Sequence, residues 1–329
     1  MAEDETVEPA AAVQERVEEI LLGGRRKYTR AEITAASGIP AERTNQIWRA
    51  LGFPLSGDDE KVFTDADLAA LEAGERFISS GLISAESEAL MTRALGHHLS
   101  RLAEWQVTTL WDWLTRQPDF ALDPEAFATL VDELLPELEA LQNHVWRRHL
   151  AAYAGRALSA GDDELDSRVQ AVGFTDMVGY TRMTRSVDEP ELVRLLDRFE
   201  SLAGDVVADH GGRIVKTIGD EVLFTAERPG DAARIALTLH ERADADPDVP
   251  ELRTGLAYGR VLSRFGDVYG SVVNTAARLT SVARRGTVLA DQELAARLGT
   301  GPGFALRALR PVSVRGYSRL RPYVLRRPA

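Results

Sequence analysis

Three short segments in the second half of the 329-residue sequence carry residue types suited to phosphate and metal chemistry. In Phe174-Thr175-Asp176-Met177-Val178-Gly179-Tyr180-Thr181 a carboxylate stands where a strand-like run gives way to a helix. There it can meet a cation while the amides that follow face an anion. In Lys216-Thr217-Ile218-Gly219-Asp220-Glu221 a second aspartate falls at a hairpin tip, where Gly219 supplies the positive φ of a tight turn. Two hard oxygen ligands suit Mg²⁺ or Mn²⁺. Either aspartate alone reads more readily as a mere cap than as a ligand. The third segment changes that reading. Phe265-Gly266-Asp267-Val268-Tyr269-Gly270-Ser271-Val272-Val273-Asn274-Thr275-Ala276-Ala277-Arg278 places an amide and a guanidinium one helical turn apart on one face, after a glycine-rich turn. Val273, Ala276 and Ala277 beside them are small or apolar, as close packing requires.

The elements that must hold these side chains follow from periodicity. Val169–Phe174 reads as a strand, 188–209 as a long helix, and Arg213–Thr217 with Glu221–Thr225 as a hairpin. A helix over 230–243, a strand over 252–258 and a helix over 271–283 come next, then strands at 288–290, 305–309 and 322–325. Such alternation specifies an α+β domain with a mostly antiparallel sheet flanked by helices.

The first half differs. Residues 11–22 have helical apolar spacing and stop at Gly23-Gly24. Tyr28–Leu51 reads helix, turn, helix, with Thr29 as a cap and Gly38-Ile39-Pro40 as the turn. Thr64 opens a further helix through Leu71 and Phe77, and Ser84 to Ala160 is helical throughout. Leu90, Leu95, Leu99, Leu102, Trp105, Leu110, Trp111 and Trp113, with Phe127, Leu130, Leu134, Leu138 and Leu141, are expected to fill an ordinary bundle core. The expected division is a helical domain over 1–160, a linker over 161–168 around Gly161-Asp162-Asp163-Glu164, and an α+β domain over 169–329.

Charge follows the same division. The net charge is −12; residues 1–165 hold 15 basic against 30 acidic side chains and residues 166–329 hold 24 against 21. The acidic half is a poor match for a phosphate backbone. The absence of cysteine removes disulfides, thiolate metal sites and cysteine nucleophiles, and suits a reducing compartment. No secretory leader or membrane span is read from the sequence, so a cytoplasmic protein is expected.

The blocks FTDMVGYT, GGRIVKTIGDEVLF and GDVYGSVVNTAARL resemble, in order and spacing, the three signature blocks of class III adenylyl and guanylyl cyclases, over about half the chain. The resemblance implies the family's α+β fold with a ferredoxin-like core and ATP as substrate. It implies that Asp176 and Asp220, with the backbone carbonyl of Met177, hold two divalent cations, Mg²⁺ or Mn²⁺. Lys216 and Asp267 match the purine-selecting pair: an ammonium donates to adenine N1 and a carboxylate accepts from the N6 amino group. Gly179 and Thr181 fall where the triphosphate is held, Asn274 matches the ribose-orienting residue, and Arg278 the one that stabilises charge on the α-phosphate. Arg315 stands where the family usually has a lysine for the outer phosphates, a cation of different geometry. The family's sites form between two subunits, so a homodimer is implied.

The first half resembles the helical regulatory region of actinobacterial soluble cyclases, and residues 28–80 resemble the start of a MerR-type winged helix-turn-helix. His97, His98, His144 and His149 are the candidates for sensing pH, and a small-molecule or lipid effector is a second expected input to this region. The competing reading is a nucleotide-sensing regulator with an inactive cyclase fold and a DNA-binding start. Arg25, Arg26, Lys27, Arg30, Arg43 and Arg49 form its basic cluster, but acidic runs such as Asp58-Asp59-Glu60 surround it and disfavour DNA.

Overall fold

The computed structural model describes residues 7–54, 57–116, 124–159, 167–264, 266–299, 303–314 and 317–328. They fall into two compact units, Met1–Tyr153 and Ala154–Ala329. No helix among the described residues is long and apolar enough to cross a membrane.

The first unit is helical: α1 (Val7–Leu21), α2 (Arg30–Ser37), α3 (Ala41–Leu51), α4 (Asp65–Ser79), α5 (Ala85–Thr115) and α6 (Pro124–Ser159). Thr29 and Thr64 each close a capping box, with Glu32 and Asp67, and so satisfy amides that the first turns of α2 and α4 leave free. Ile33, Ile39 and Phe63 are buried, and the Trp48 ring packs edge-on against Phe63 at 4.7 Å. Gly96 lets α5 approach the end of α3, because a Cβ there would lie 2.4 Å from the Leu51 carbonyl oxygen.

Two expectations for this unit are altered. Most of the basic cluster is paired internally: Arg25 pairs with Glu19, Arg26 with Glu18, Lys27 with Asp65, Arg30 with Asp58, and Arg43 with Glu75 and Glu88. The ordinary bundle core is realised only in part. Leu95, Leu99, Trp105, Trp111, Trp113 and Leu141 are exposed, since the apolar residues of α5 and α6 spread over more of each helix than the neighbouring elements cover. His97 and His98 on α5 and His144 and His149 on α6 are all exposed.

The second unit is an α+β sandwich. Its sheet runs β2 (Arg213–Ile218), β3 (Glu221–Ala226), β1 (Ser167–Met177), β4 (Leu252–Arg264), β6 (Thr287–Ala290), β10 (Tyr323–Arg326), β7 (Ala305–Ala308), with β5 (Asp267–Tyr269) paired to β4. All pairs are antiparallel except β4 with β6. A separate hairpin joins β8 (Val312–Val314) to β9 (Tyr317–Leu320).

Side-chain alternation divides the sheet into two faces. On one, Ala171, Met177, Val222, Phe224, Leu252 and Leu256 pack under α8 (Glu189–Asp209), α9 (Pro229–Asp244) and α11 (Gln292–Leu298). On the other, Val172, Phe174, Leu223, Ala257 and Val261 meet Val272 and Ala276 of α10 (Ser271–Val282). The approach of α10 is close because β4 presents Gly255: a Cβ there would stand 2.3 Å from both the Ala276 oxygen and the Thr280 nitrogen. Thr280 Oγ1 also donates to the Phe174 carbonyl at 3.1 Å.

Gly255→Ala should therefore displace α10, costing about 1–3 kcal/mol of stability as overpacking does. Thermal unfolding of the variant should show the lower Tm. A wild-type Tm would mean that the helix seat tolerates a methyl group.

Candidate active site

The Asp176 face of the sheet is the α10 face. β1 extends to Met177, so Asp176 lies inside the strand rather than in the turn after it, because β3 and β4 pair with β1 as far as this row. Its register neighbours are Glu221 on β3 and Arg253 on β4, so three charged side chains project side by side. Arg253 Nε donates to Asp176 Oδ2 at 2.6 Å and a second guanidinium nitrogen reaches the same oxygen. Asp176 is only 7% exposed.

Asp220 sits at the β2–β3 tip, where Gly219 has φ 60°. The Met177 amide donates to the Asp220 carbonyl at 3.1 Å, which ties the hairpin tip to the end of β1. The two aspartate carboxyls are close neighbours. Burial, then the hydrogen bond and charge of Asp176, push the Asp220 carboxyl up to about 6. Burial, then the charges of Asp176 and Asp220, push Glu221 up to about 7. Arg253 offsets the crowding only in part.

After β1 the chain turns through Gly179, φ 87°, into the single turn α7 (Tyr180–Met183). Its first helical bond runs from the Arg182 amide to the Gly179 carbonyl at 3.0 Å, so the amides of Gly179 to Thr181 precede the helical ladder.

The expected Lys216–Asp267 pair is formed, with Nζ to Oδ2 at 2.5 Å. A β-bulge makes it. The β2–β3 register shifts between Ile214 and Lys216, and that one-residue slip sets Lys216 opposite Leu223, on the α10 face. Asp267 Oδ1 accepts from the Val268 amide at 2.8 Å, which fixes the carboxylate.

Asn274 and Arg278 are not brought to the aspartates. Val272, Thr275, Ala276, Leu279 and Thr280 are the buried face of α10; Asn274 and Arg278 lie on the side turned away from their own sheet. Among the described residues no hydrogen bond or ion pair engages either side chain. Arg315 lies outside the described residues.

Arg253 and Glu221 were missed as site residues by the sequence. Each follows from strand register, which places it beside Asp176, and local motif spacing carries no such signal.

Among the described residues no group of three or more His, Cys, Asp or Glu forms a ready-made cage. Two crowded carboxyls, one holding its proton unusually tightly, nonetheless fit a hard dication, which relieves their repulsion and completes its shell from substrate phosphates and water.

The unit is thus an α+β domain that carries two crowded aspartates at the end of β1 and, separately, a lysine–aspartate pair. Residues 166–327 match the Adenylate and Guanylate cyclase catalytic domain. The chain is 44% identical to an adenylate cyclase of Streptomyces coelicolor, over 86% of this chain and 74% of that one. It is 41% identical to an adenylate cyclase of Streptomyces griseus, over 90% and 74%, and 36% identical to an adenylate cyclase of Glutamicibacter nicotianae, over 94% and 81%. The chain belongs to the class III adenylate cyclase family, whose catalytic domain works with divalent metal.

The raised carboxyls have a consequence for stability. A folded pKa above the unfolded one means the native state binds the proton more tightly, so stability is lost as pH rises through that interval. Without divalent metal, Glu221→Gln should raise Tm at pH 8. The gain should fade as pH falls through about 7 and vanish near the ordinary carboxyl value of 4.5. Differential scanning calorimetry across that range checks it; a gain independent of pH would point to packing instead.

Proposed function

We propose that this adenylate cyclase makes 3′,5′-cyclic AMP and pyrophosphate from ATP at sites completed by two copies of the chain. The observation that carries this is the separation of Asn274 and Arg278, on the outward side of α10, from the Asp176–Asp220 edge.

Asp176 and Asp220, with the Met177 carbonyl, are the ligands for two divalent cations, Mg²⁺ or Mn²⁺. When bound, these lower the pKa of the ribose 3′-hydroxyl and neutralise the triphosphate. Arg253 holds the Asp176 carboxylate until a stronger cation arrives. The free amides from Gly179 to Thr181 hold phosphate oxygens. Arg315 is the second cation for the outer phosphates.

Lys216 and Asp267 of the other copy read the base. Their contact holds the ammonium and the carboxylate side by side, the spacing that adenine needs to accept at N1 and donate from N6. Guanine, with an acceptor at O6 and a donor at N1, meets each partner with the wrong sign. Asn274 of the other copy orients the ribose, and its Arg278 stabilises charge that builds on the α-phosphate, a preorganised contact strongest in the transition state.

Residues 1–160 regulate this reaction. Support comes from α6, which ends at Ser159 only a short way before β1 opens at Ser167. His97, His98, His144 and His149 are exposed to solvent, and an apolar effector would meet the exposed tryptophans of α5. The DNA-binding alternative has little left to bind with, since most of its basic cluster is already paired with carboxylates.

Complementation tests the shared site. Asp220→Ala and Arg278→Ala should each lower kcat by about 10²–10³ or more alone. Mixing the two should restore about a quarter of wild-type activity, since half the dimers are mixed and each has one intact site. No recovery on mixing would place the whole site within one chain. Cyclic AMP formation by residues 161–329, compared with the full chain from pH 5.5 to 8, about the range in which histidine titrates, tests the regulatory reading. Identical rates and profiles would remove it.

A further inference from the structure

Behind the metal-site row, on the opposite face of the sheet, lies a buried polar chain that the cyclase chemistry does not account for. Thr175 and Thr254 face each other in the β1–β4 register, immediately next to the Asp176–Arg253 pair. Their hydroxyl oxygens are 2.8 Å apart, and Thr254 Oγ1 lies 3.0 Å from His240 Nε2 on α9. Both threonines are wholly buried and His240 is 7% exposed. Three polar side chains thus stand within an otherwise apolar layer made by Ile235, Leu239, Leu252 and Leu256.

Apolar residues would fill that space at no desolvation cost, so the polar choice needs a reason. Directional bonds supply one. A Thr–Thr pair fixes how β1 and β4 lie against each other at this row, and His240 extends the restraint to a helix. On the other side of the same backbone, Asp176 and Arg253 inherit that position. Burial pushes His240 down to about 4, so the ring is neutral and adds no charge of its own behind the carboxylates.

We propose that His240, Thr254 and Thr175 are positioning residues for the metal-binding carboxylate, acting through the β1–β4 backbone. This rests on the assignment of Asp176 as a metal ligand. The row is set from behind, so that on the front Asp176 meets only Arg253 and the crowded acidic groups beside it.

The test uses the full chain and measures bound Mn²⁺ from the loss of the free-ion electron paramagnetic resonance signal. The companion nucleotide is 3′-deoxy-ATP, which lacks the attacking hydroxyl and cannot turn over. Thr254→Val keeps the side chain's shape and removes its hydroxyl. Mn²⁺ affinity should fall by about tenfold, as loss of outer-shell support typically does, and Thr254→Ser should restore it. In turnover the half-saturating Mn²⁺ concentration should rise with little change in the KM for ATP. The double variant Thr175→Val, Thr254→Val, which leaves no orphaned hydroxyl between the strands, guards against a folding defect in the single one.

Unchanged Mn²⁺ affinity in either folded valine variant, with Asp176→Asn losing Mn²⁺, overturns the positioning role alone. Unchanged affinity in Asp176→Asn overturns the metal assignment beneath it.

Discussion

The crowding of negative charge at the end of β1 is the constraint around which the catalytic unit is arranged. Asp176, Asp220 and Glu221 lie close enough for two of them to be held well above ordinary carboxyl values. One guanidinium, Arg253, stands against three acidic groups. Truncating a partner of such a pair leaves a charge buried and unpaired, which is far costlier than the net worth of the pair suggests. Protons or cations shared among these groups relieve their repulsion, which is the electrostatic reason the proposed cation ligands fall here.

The sheet lets this cluster exist by keeping its two faces separate. The face under α8, α9 and α11 holds the larger apolar core, with Phe199, Val206, Ile235 and Leu239 wholly buried. The α10 face has a smaller core and surrenders its ends to polar groups. Gly255 matters to both, since without a side chain it lets α10 lie against the strand backbone while Arg253, on the same face of β4, stays at the aspartate. The helix that presents Asn274 and Arg278 and the strand that presents Arg253 are thus set against one another by the absence of a single Cβ.

What the sequence made legible was local. Gly219-Asp220 states its own turn, the Thr29 and Thr64 caps announce their helices, and Asn274 with Arg278 is visible from helical spacing alone. Lys216 and Asp267 could be matched as a pair only through family resemblance, since a bulge within β2 brings them together and no spacing rule anticipates it. Arg253 and Glu221 became site residues through register across three strands. The short β5, the helix α11 and the hairpin of β8 and β9 carried too few residues for any period to show. In the first unit, the apolar spacing of α5 foretold a helix correctly but not its surroundings: periodicity identifies a face, while the cover over that face depends on elements elsewhere in the chain or beyond it.

The outward position of Asn274 and Arg278 bears on why such an enzyme would divide its site. Within one chain, α10 must bury Val272, Ala276 and Leu279 to hold the sheet, so the opposite side of the helix cannot turn back toward Asp176 without exposing that core. A guanidinium kept away from its own carboxylates is also spared the fate of Arg253, which is already bound to one. Among the described residues Arg278 has no counterion, and a cation without an internal partner is the kind able to answer charge that appears only during reaction. If that charge arises at a nucleotide held by another copy, assembly is what brings the cation to it, and association between chains becomes a condition of catalysis.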